Sequence, residues 1–388
     1  MKIGIFGGSF DPVHKEHVRL AEAAIKGMSL DKLLIVPAGI PPHKQGKRLA
    51  ESRHRFTMCK IAFAHLDKVE ISDYELTKSG ASYTYLTCRH FAKLYPNAKL
   101  FWLVGTDMFW DFFHWKNPED ILSHAELAVC RRNESVENIA RQQEAFFLSF
   151  AKRFEVIPYN GDAVSSTQIR TRSILNMDIS HLVPQGVNDY ILGHGLYQLP
   201  EILQGLSLQN DKRAEHSRRV CLMAMQNVGR LRLDEHKTLV ASALHDVAKN
   251  LPPDDCRLHG FVPPQNVPAP VIHQYAGAYV LEHTFSVADG DVLNAVRYHT
   301  SARPSMSTLE KLVFLCDLLE EGRSFPHIEE LRAAFYQDLD TCMYLSLKHL
   351  IEYLAQTADT VYPLTLQAFE YYQEIYKEKN IKKEKKPL

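Results

Sequence analysis

Hydrophobic and polar positions follow different patterns in the two halves of the chain. In the first half, short apolar runs recur from Ile3 onwards, and segments with apolar residues at helical spacing separate them. Such alternation is typical of strands buried on both faces of a parallel sheet. It predicts an α/β domain. The predicted strands are 3–6, 33–36, 69–71, 99–104, 127–130 and 154–158.

Strand signals nearly vanish beyond residue 212, and the pattern predicts an all-α domain. The predicted helices are 213–229, 234–249, 272–285, 289–299, 307–321, 327–335, 338–357 and 361–377. Residues 198–212 contain proline, glycine and polar residues and are predicted to form a linker. The charged end, 378–388, is predicted to be a solvated, disordered tail.

Composition limits the classes of function. The 388 residues are 45% hydrophobic and 23% charged, which suits two ordinary globular domains. No apolar run approaches the roughly 20 residues that cross a bilayer, and no signal peptide precedes the first strand, so we expect a cytoplasmic protein without membrane association. The first 197 residues hold 24 basic and 21 acidic side chains and the rest hold 21 and 25, so no nucleic-acid partner is expected. The seven cysteines contain no CxxC pair, which argues against disulfides and structural zinc.

Glycines and histidines cluster directly behind the first predicted strand, in the stretch GGSFDPVHKEH. Gly7 and Gly8 allow the backbone to turn and to approach a ligand closely. A helix begins within the stretch, and helix N-termini attract anions. Because His14 and His17 lie three residues apart, both imidazoles can face one side and donate to phosphate oxygens. The stretch predicts a phosphate pocket, and its spacing is not the GxGxxG of dinucleotide-binding folds.

Three further positions in the first half fit the same ligand chemistry. Asp107 follows the fourth strand, at the edge where open α/β sheets place ligands, and could accept hydrogen bonds from a ribose. Arg131 and Arg132 follow the fifth strand and either could hold a phosphate, although a solvated arginine pair is equally common there. VSSTQIR opens a helix with three hydroxyls and Arg170, which together could cradle an anion. Helix capping alone would also explain these hydroxyls.

Together, GGSFDPVHKEH and VSSTQIR resemble the signatures of the HxGH nucleotidyltransferases, and within them the nicotinate-nucleotide adenylyltransferases. PPHK, SYT and the ending at Tyr197 resemble further elements of that family, so the resemblance covers 1–197. It implies a Rossmann-like sheet and transfer of adenylyl from ATP to nicotinate mononucleotide, with Mg²⁺ bridging phosphate oxygens. Glu16 stands where the family usually has glycine, and Leu86 where it has aspartate.

The resemblance also assigns residues, and the chemistry needs no protein nucleophile because catalysis comes from positioning two anions and stabilising charge. The implied catalytic donors are His14, His17, Lys44 and Arg170. The implied ATP contacts are Gly7, Gly8, Ser9, Phe10, Ser166 and Thr167. The implied mononucleotide contacts are Thr84, Asp107, Trp115 and Arg131. The choice between the acid and the amide of the pyridine stays open.

Histidines and aspartates accumulate in the second half. His245 and Asp246 are adjacent in ALHDVAK; on a helix they would diverge by about 100 degrees and could reach a metal between them. The whole set offers imidazoles and carboxylates without a thiolate, which suits iron, manganese or zinc. Its members are His216, His245, Asp246, His273, His299 and Asp317.

This order resembles the HD-domain metal phosphohydrolases, and ALHDVAK, HQYAGAYVLE and RYHTSARPSMSTLEKLVFLCDLLEEGR resemble stretches of the bacterial YqeK-like symmetrical diadenosine-tetraphosphate hydrolases. The resemblance implies a dinuclear centre of iron, or of manganese or zinc. His216, His245, Asp246 and Asp317 would hold one metal, and His273, His299 and a bridging Asp246 the second. The implied phosphate contacts are Lys249, Arg303 and Arg323. Cys316 and Glu321 depart from the family pattern.

The two resemblances together imply a bifunctional enzyme. Its expected parts are an adenylyltransferase domain at 1–197, the linker at 198–212, an HD-domain metal phosphohydrolase at 213–377 and the tail at 378–388. The expected partners are ATP, nicotinate mononucleotide and diadenosine tetraphosphate. Two alternatives stay open for the second half, namely hydrolysis of another nucleotide and a non-catalytic nucleotide-binding regulatory role. The oligomeric state, a homo-oligomer included, is also open.

Overall fold

The computed structural model of the chain describes residues 1–39, 49–78, 80–132, 135–356 and 360–384. The chain divides into two units, Met1–Ser173 with Asp178–Tyr197, and Ile174–Met177 with Gln198–Leu388. Within the described residues, no helix is long and apolar enough to cross a membrane. All seven cysteines lie in this part of the chain as free thiols, and Cys256 is exposed.

The first unit contains the predicted parallel α/β sheet, which is confirmed. Its strands are β1 Lys2–Gly8, β2 Lys32–Pro37, β3 Val69–Ile71, β4 Lys99–Gly105, β5 Glu126–Arg132 and β6 Glu155–Tyr159. They pair in the order β3-β2-β1-β4-β5-β6, every pair parallel. The order reverses between β1 and β4, and open parallel sheets bind ligands outside the carboxyl ends of such strands.

Helices cover both faces of this sheet. They are α1 Lys15–Gly27, α2 Ser52–Phe63, α3 Thr84–Leu94, α4 Thr106–Phe109, α5 Pro118–His124, α6 Val136–Phe150, α7 Ser166–Ile174 and α8 Gln185–Gly193. Ile3 and Ile5 pack into one core with residues of α3, α5 and α6, whereas Phe6 and Leu33 pack into the other with residues of α1, α2 and α8. Because both faces are buried, the strands are apolar runs without polar alternation.

The second unit contains helices and, among its described residues, no strand, as predicted. Its helices are α9 Pro200–Ser207, α10 Asp211–Leu231, α11 Glu235–Ala243, α12 Ile272–His283, α13 Gly290–Arg297, α14 Thr308–Leu319, α15 Ile328–Gln337, α16 Leu339–Gln356 and α17 Pro363–Glu384. One core gathers residues of α9 to α13, and a second gathers residues of α14 to α17. Residues of α10 and α14 occur in both cores and so connect them.

Two of the predicted helices end earlier than expected. α11 ends at Ala243 and α13 at Arg297, so His245, Asp246 and His299 lie in turns. The expectation that His245 and Asp246 share a helix is therefore wrong. The reason is local: Leu244 leaves the helical conformation, and the turn is then closed by a bond from the amide of Val247 to the Leu244 carbonyl (3.1 Å).

The segments expected to be irregular are largely helical. Residues 198–212 include α9, because Ile202 and Leu206 lie four residues apart and both are buried in the core that contains α11. The charged end continues α17 to Glu384, where disorder was expected from residue 378. Lys379 stabilises this extension, since its Nζ lies 2.8 Å from carboxylate oxygens of both Asp338 and Asp340.

Candidate active sites

A buried arginine holds the loop that follows β1. Arg55 on α2 is 1% exposed, and its guanidinium donates to the carbonyl oxygens of Ser9 (2.8 Å), Ala38 (2.7 Å) and Gly39 (3.3 Å). The loops after β1 and β2 are therefore tied to one rigid group. Spacing in the sequence could not reveal Arg55, because nothing distinguishes it from other arginines of an amphipathic helix.

The second motif of the first unit, VSSTQIR, lies against the same loop. Arg170 donates from Nη1 to the carbonyl of Asp11 (2.8 Å) and from Nη2 to Oγ1 of Thr167 (3.2 Å). The hydroxyl of Ser166 donates to the carbonyl of Pro12 (3.0 Å). Two stretches separated by about 150 residues in sequence thus meet at the carboxyl end of β1.

The two histidines of the loop are stacked on one another. The ring centres of His14 and His17 lie 3.6 Å apart with 25° between the planes. Nδ1 of His17 accepts from the backbone amide of His14 (3.2 Å), so the neutral ring carries its proton on Nε2 and can donate from there. Phe10, expected to contact ATP, is instead a core residue: it is 1% exposed, and its ring packs edge-on against His17 with centres 5.0 Å apart.

The unusual acidic residue of the motif, Glu16, has its own set of donors. Its carboxylate accepts from the hydroxyl of Tyr159, the amide of Asp162 (2.9 Å) and the guanidinium of Arg19 (2.7 Å). Glu16 is buried, and these three donors satisfy it on the side of β6. The Glu16 carboxylate therefore links α1 to β6 and to the residues that follow β6.

A cavity of about 500 Å³ opens beside this loop. Six of the predicted residues line it: Gly7, Gly8, Ser9, His17, Thr84 and Trp115. Phe10 and Arg131 are not among its lining residues within the described part of the chain, because Phe10 points into the core and Arg131 continues β5. Lys44 and the side chain of Asp107 lie outside the described residues.

The lining of the cavity also contains Glu75, which the sequence did not single out. Glu75 is buried there, and its Oε1 accepts from the hydroxyl of Thr87 (2.5 Å). Burial raises the pKa of the Glu75 carboxyl. Trp115 packs edge-on against Trp102 with ring centres 6.4 Å apart. Among the described residues, nothing accepts a hydrogen bond from the buried Nε1 of Trp115.

In the second unit, the six predicted metal ligands come together. Nε2 of His216 lies 2.8 Å from Oδ1 of Asp317. Asp246 is central, since His245 (3.5 Å), His273 (3.3 Å) and His299 (3.4 Å) all direct Nε2 to its carboxylate. Two overlapping triads could each hold an ion: His216, His245 and Asp317, and His245, Asp246 and His299.

The chemistry of this cluster fits divalent metal ions. Nδ1 of His245 donates to the carbonyl of Ser242 (2.8 Å) and Nδ1 of His299 to that of Val296 (2.7 Å), so each Nε2 presents a lone pair to the cluster. Nε2 of His245 and Oδ1 of Asp246 are buried without a hydrogen-bond partner among the described residues. Burial lowers the pKa of His273 to about 4, which keeps its imidazole neutral, as a ligand must be.

Glu320, which the sequence did not single out, supports the cluster from behind. Its Oε1 lies 3.1 Å from Nδ1 of His216, and its Oε2 accepts from Nε of Arg219 (2.6 Å). Burial opposes ionisation, but these hydrogen bonds outweigh it and lower the pKa of Glu320 to about 2. The spacing of three residues from Asp317 on α14 is the signal that could have identified it.

Cationic side chains surround the carboxylates of the cluster. Arg213 lies 2.8 Å from Oδ2 of Asp246 and Arg323 lies 2.8 Å from Oδ1 of Asp317, while Nζ of Lys249 lies 3.1 Å from Nδ1 of His273. Burial lowers the pKa of Lys249. Arg213 was not predicted, although it precedes His216 by one helical turn.

Arg303 differs from the other predicted phosphate contacts. Its guanidinium forms two hydrogen bonds of 2.8 Å with the carboxylate of Glu310, which is 0% exposed. A bidentate pair with a fully buried carboxylate occupies the donors of this arginine. Arg303 therefore pairs with α14 through Glu310, and the structure does not direct its guanidinium to the metal-ligand cluster.

Comparisons with known proteins match each half of the chain to a different family model, and one relative matches both halves. The cytidylyltransferase-like family model matches residues 5–172, and the HD domain model matches residues 213–322. A Clostridium tetani protein named "probable nicotinate-nucleotide adenylyltransferase" is 38% identical over 198 residues, which are 51% of this chain and 99% of that protein. A Mycoplasma genitalium protein named "probable nicotinate-nucleotide adenylyltransferase/Ap4A hydrolase" is 31% identical over 327 residues, which are 83% of this chain and 88% of that protein.

A solved structure also resembles the chain. It is a crystal structure of a predicted HD superfamily hydrolase involved in NAD metabolism from Clostridium acetobutylicum, which is 29% identical with a TM-score of 0.40. The match covers 45% of this chain and 96% of that protein.

Proposed function

We propose a bifunctional enzyme, since the chain belongs to the nicotinate-nucleotide adenylyltransferase/Ap4A hydrolase family. The first unit transfers adenylyl from ATP to nicotinate mononucleotide and releases pyrophosphate. The second unit hydrolyses diadenosine tetraphosphate to two ADP. The observation that carries the proposal is the similarity to the Mycoplasma genitalium protein, which runs through both halves of the chain.

In the first unit, a phosphate oxygen of the mononucleotide attacks the α-phosphorus of ATP, the α–β bridging bond breaks and pyrophosphate leaves. Nε2 of His17 donates to phosphate oxygens in the transition state, because Nδ1 is already occupied as an acceptor. His14 holds His17 in place through its backbone amide and its stacked ring. Mg²⁺ accompanies ATP and offsets part of its charge.

The residues around the loop bind and position ATP. Gly7, Gly8 and Ser9 line the cavity, and Ser166, Thr167 and Arg170 lie on the other side of the same loop. Thr84 and Trp115 form the wall for the mononucleotide, with Lys44, Asp107 and Arg131 as further proposed contacts. In this arrangement these groups bring the two anions together, which lowers the barrier to transfer.

In the second unit, His216, His245, Asp246 and Asp317 would hold one metal, and His273, His299 and a bridging Asp246 a second. When bound, a pair of iron, manganese or zinc ions supplies Lewis-acid charge that activates water and stabilises the transition state. Water attacks one of the two central phosphorus atoms, and ADP leaves. Arg213, Lys249 and Arg323 bind the phosphate oxygens. Both reactions use cytoplasmic nucleotides, so the protein acts in the cytoplasm.

Two substitutions in the full chain test this division of labour. We expect His17→Ala to reduce adenylyl transfer to nicotinate mononucleotide by at least about 100-fold and to leave hydrolysis of diadenosine tetraphosphate unchanged. We expect Asp246→Ala to abolish the hydrolysis and to leave the transfer unchanged. Each variant is the control for the folding of the other unit. Loss of both activities in one variant would contradict the assignment of separate sites.

The substrate of the second unit is tested with the same proteins. Diadenosine tetraphosphate should give ADP alone, and turnover of dGTP or of guanosine alarmones should be at least about tenfold less efficient. Faster turnover of one of those nucleotides would replace the proposed substrate. Binding of nucleotide without any turnover, in protein loaded with each metal in turn, would favour the regulatory role.

A further inference from the structure

One lysine stands on the wall of the cavity in the first unit. Among the described residues that line the cavity, Lys116 is the only lysine or arginine. Its Nζ lies 4.3 Å from the centre of the Tyr83 ring, and Tyr83 also lines the cavity. Attraction between an ammonium and the face of an aromatic ring restrains an otherwise flexible side chain. The charge of Lys116 is therefore held at a defined place on this wall.

The same wall is aromatic and rigid. Trp115 precedes Lys116 and packs edge-on against Trp102 and tilted against Phe112, with ring centres 6.4 Å and 5.4 Å apart. Trp102, Trp115 and Tyr83 thus offer flat apolar surface beside one fixed positive charge. This combination suits a planar aromatic ring that carries a negative substituent.

The carboxyl group of Glu75 also lines the cavity, and in its ionised form it repels an anionic ligand. Glu75 is held by the hydroxyl of Thr87, and burial favours its neutral form. Lys116 is exposed and is the one lysine or arginine among the described residues of this lining.

The orientation of the mononucleotide follows from the proposed reaction. Its phosphate must lie near His17 and the loop Gly7–Ser9, where the α-phosphate of ATP is activated. The ribose separates that phosphate from the pyridine, so the pyridine must lie away from the loop, along the aromatic wall. The geometry points to Lys116 as the specificity-determining residue that selects the acid form of the pyridine, nicotinate, over the amide form. This inference rests on the proposed adenylyl transfer.

The effect of Lys116 should be confined to one substrate. Nicotinate carries a carboxylate that gains an ion pair with the ammonium, whereas the carboxamide of nicotinamide does not. Lys116 lies at the pyridine ring and not at the reacting phosphorus, so the ion pair stabilises the bound substrate and the transition state equally. Its loss should therefore raise KM and leave kcat unchanged. Ion pairs at a site open to water are screened by salt, so the preference should weaken as ionic strength rises.

The test compares both acceptors in the full chain with saturating ATP. We expect Lys116→Met to lower kcat/KM for nicotinate mononucleotide by about tenfold, through KM, and to change kcat/KM for nicotinamide mononucleotide by less than about twofold. Lys116→Arg should retain most of the preference. Lys93→Met, at an exposed position of α3 that does not line the cavity, is the matched control and should behave as wild type.

Two results would overturn the assignment. An unchanged ratio of the two acceptors in Lys116→Met would make Lys116 a solvated surface lysine, and an equal fall for both acceptors would give it a structural role. Failure of the proposed function is distinguishable, because wild type would then adenylylate neither mononucleotide. Calorimetric binding of nicotinate mononucleotide provides a second readout, in which Lys116→Met should raise Kd by the same factor of about ten.

Discussion

His216 and Glu320 form a hydrogen bond in which Nδ1 of the imidazole lies 3.1 Å from Oε1 of the carboxylate. Nε2 of the same ring lies 2.8 Å from Asp317, so one ring nitrogen faces Glu320 and the other faces the metal cluster. Carboxylates behind a histidine ligand orient it and increase its basicity. Glu320 is therefore a positioning residue for the second unit.

Replacement of Glu320 should weaken metal binding. We expect Glu320→Ala to lower the affinity for the catalytic metal by about 10- to 100-fold, because His216 loses its orienting partner. The metal content after dialysis and the titration of hydrolysis with added metal measure this effect. Glu321→Ala, at the exposed neighbouring position, is the control. Normal metal content in Glu320→Ala would contradict the positioning role, and adenylyl transfer should be unaffected in both variants.

Arg213 and Arg303 should behave differently when they are truncated. Arg213→Ala should reduce kcat/KM for diadenosine tetraphosphate by about 10- to 100-fold without loss of stability, since Asp246 keeps its contacts with His245, His273 and His299. Arg303→Ala should instead destabilise the second unit by about 3 kcal/mol, because it leaves Glu310 buried without its partner. Thermal unfolding and hydrolysis kinetics separate the two outcomes. A purely kinetic defect in Arg303→Ala would restore it as a phosphate contact.

Glu16 should contribute to stability more than to catalysis. Replacement by glycine, the residue usual in the family, removes the acceptor of Tyr159 and Arg19 and places glycine within α1. We expect Glu16→Gly to destabilise the first unit by about 2–4 kcal/mol and to change the KM for ATP by less than about threefold. Glu22→Gly, at an exposed position of the same helix, loses a surface contact with His65 (3.3 Å) and otherwise shares only the cost of glycine. A large gain in transfer rate with unchanged stability would contradict this.

The buried carboxyl of Glu75 should make the stability of the first unit depend on pH. Because burial raises its folded pKa above the unfolded value of 4.5, the folded state binds the proton more tightly. The corresponding stability is complete below pH 4.5 and is lost as pH rises through the folded pKa. Glu75→Gln, which cannot ionise, should therefore be more stable than wild type at pH 7.5 and no more stable at pH 4.5. Unfolding at the two pH values measures the difference, and an advantage that is larger at pH 4.5 would give the wrong sign.

Much of the fold could be predicted from the sequence. The strands of the sheet were predicted because burial on both faces requires continuous apolar runs, such as Leu33–Val36. The long helices α10 and α14 were predicted because one buried face imposes a period of 3.6 residues. The six metal-ligand candidates were selected by residue type and order, and the structure brings all six into one cluster.

Other features depend on contacts between distant residues, which local spacing does not contain. The turn at Leu244 ends α11 before His245, and the pairing of Lys379 with Asp338 and Asp340 orders the end of α17. Arg303 was expected at phosphate, but the buried carboxylate of Glu310 holds it elsewhere. Phe10 lies in a motif, yet its side chain packs in the core.

The sequence by itself therefore determined the two fold classes, the residue types of both sites and the chemistry that they suit, because periodicity and donor type are properties of short stretches. Only the tertiary structure decided which charged groups face a site and which are used in packing. Arg55, Arg213, Glu320 and Lys116 acquire their neighbours from elements far away in the chain. The partner of a long side chain is set by packing, and packing is a property of the folded whole.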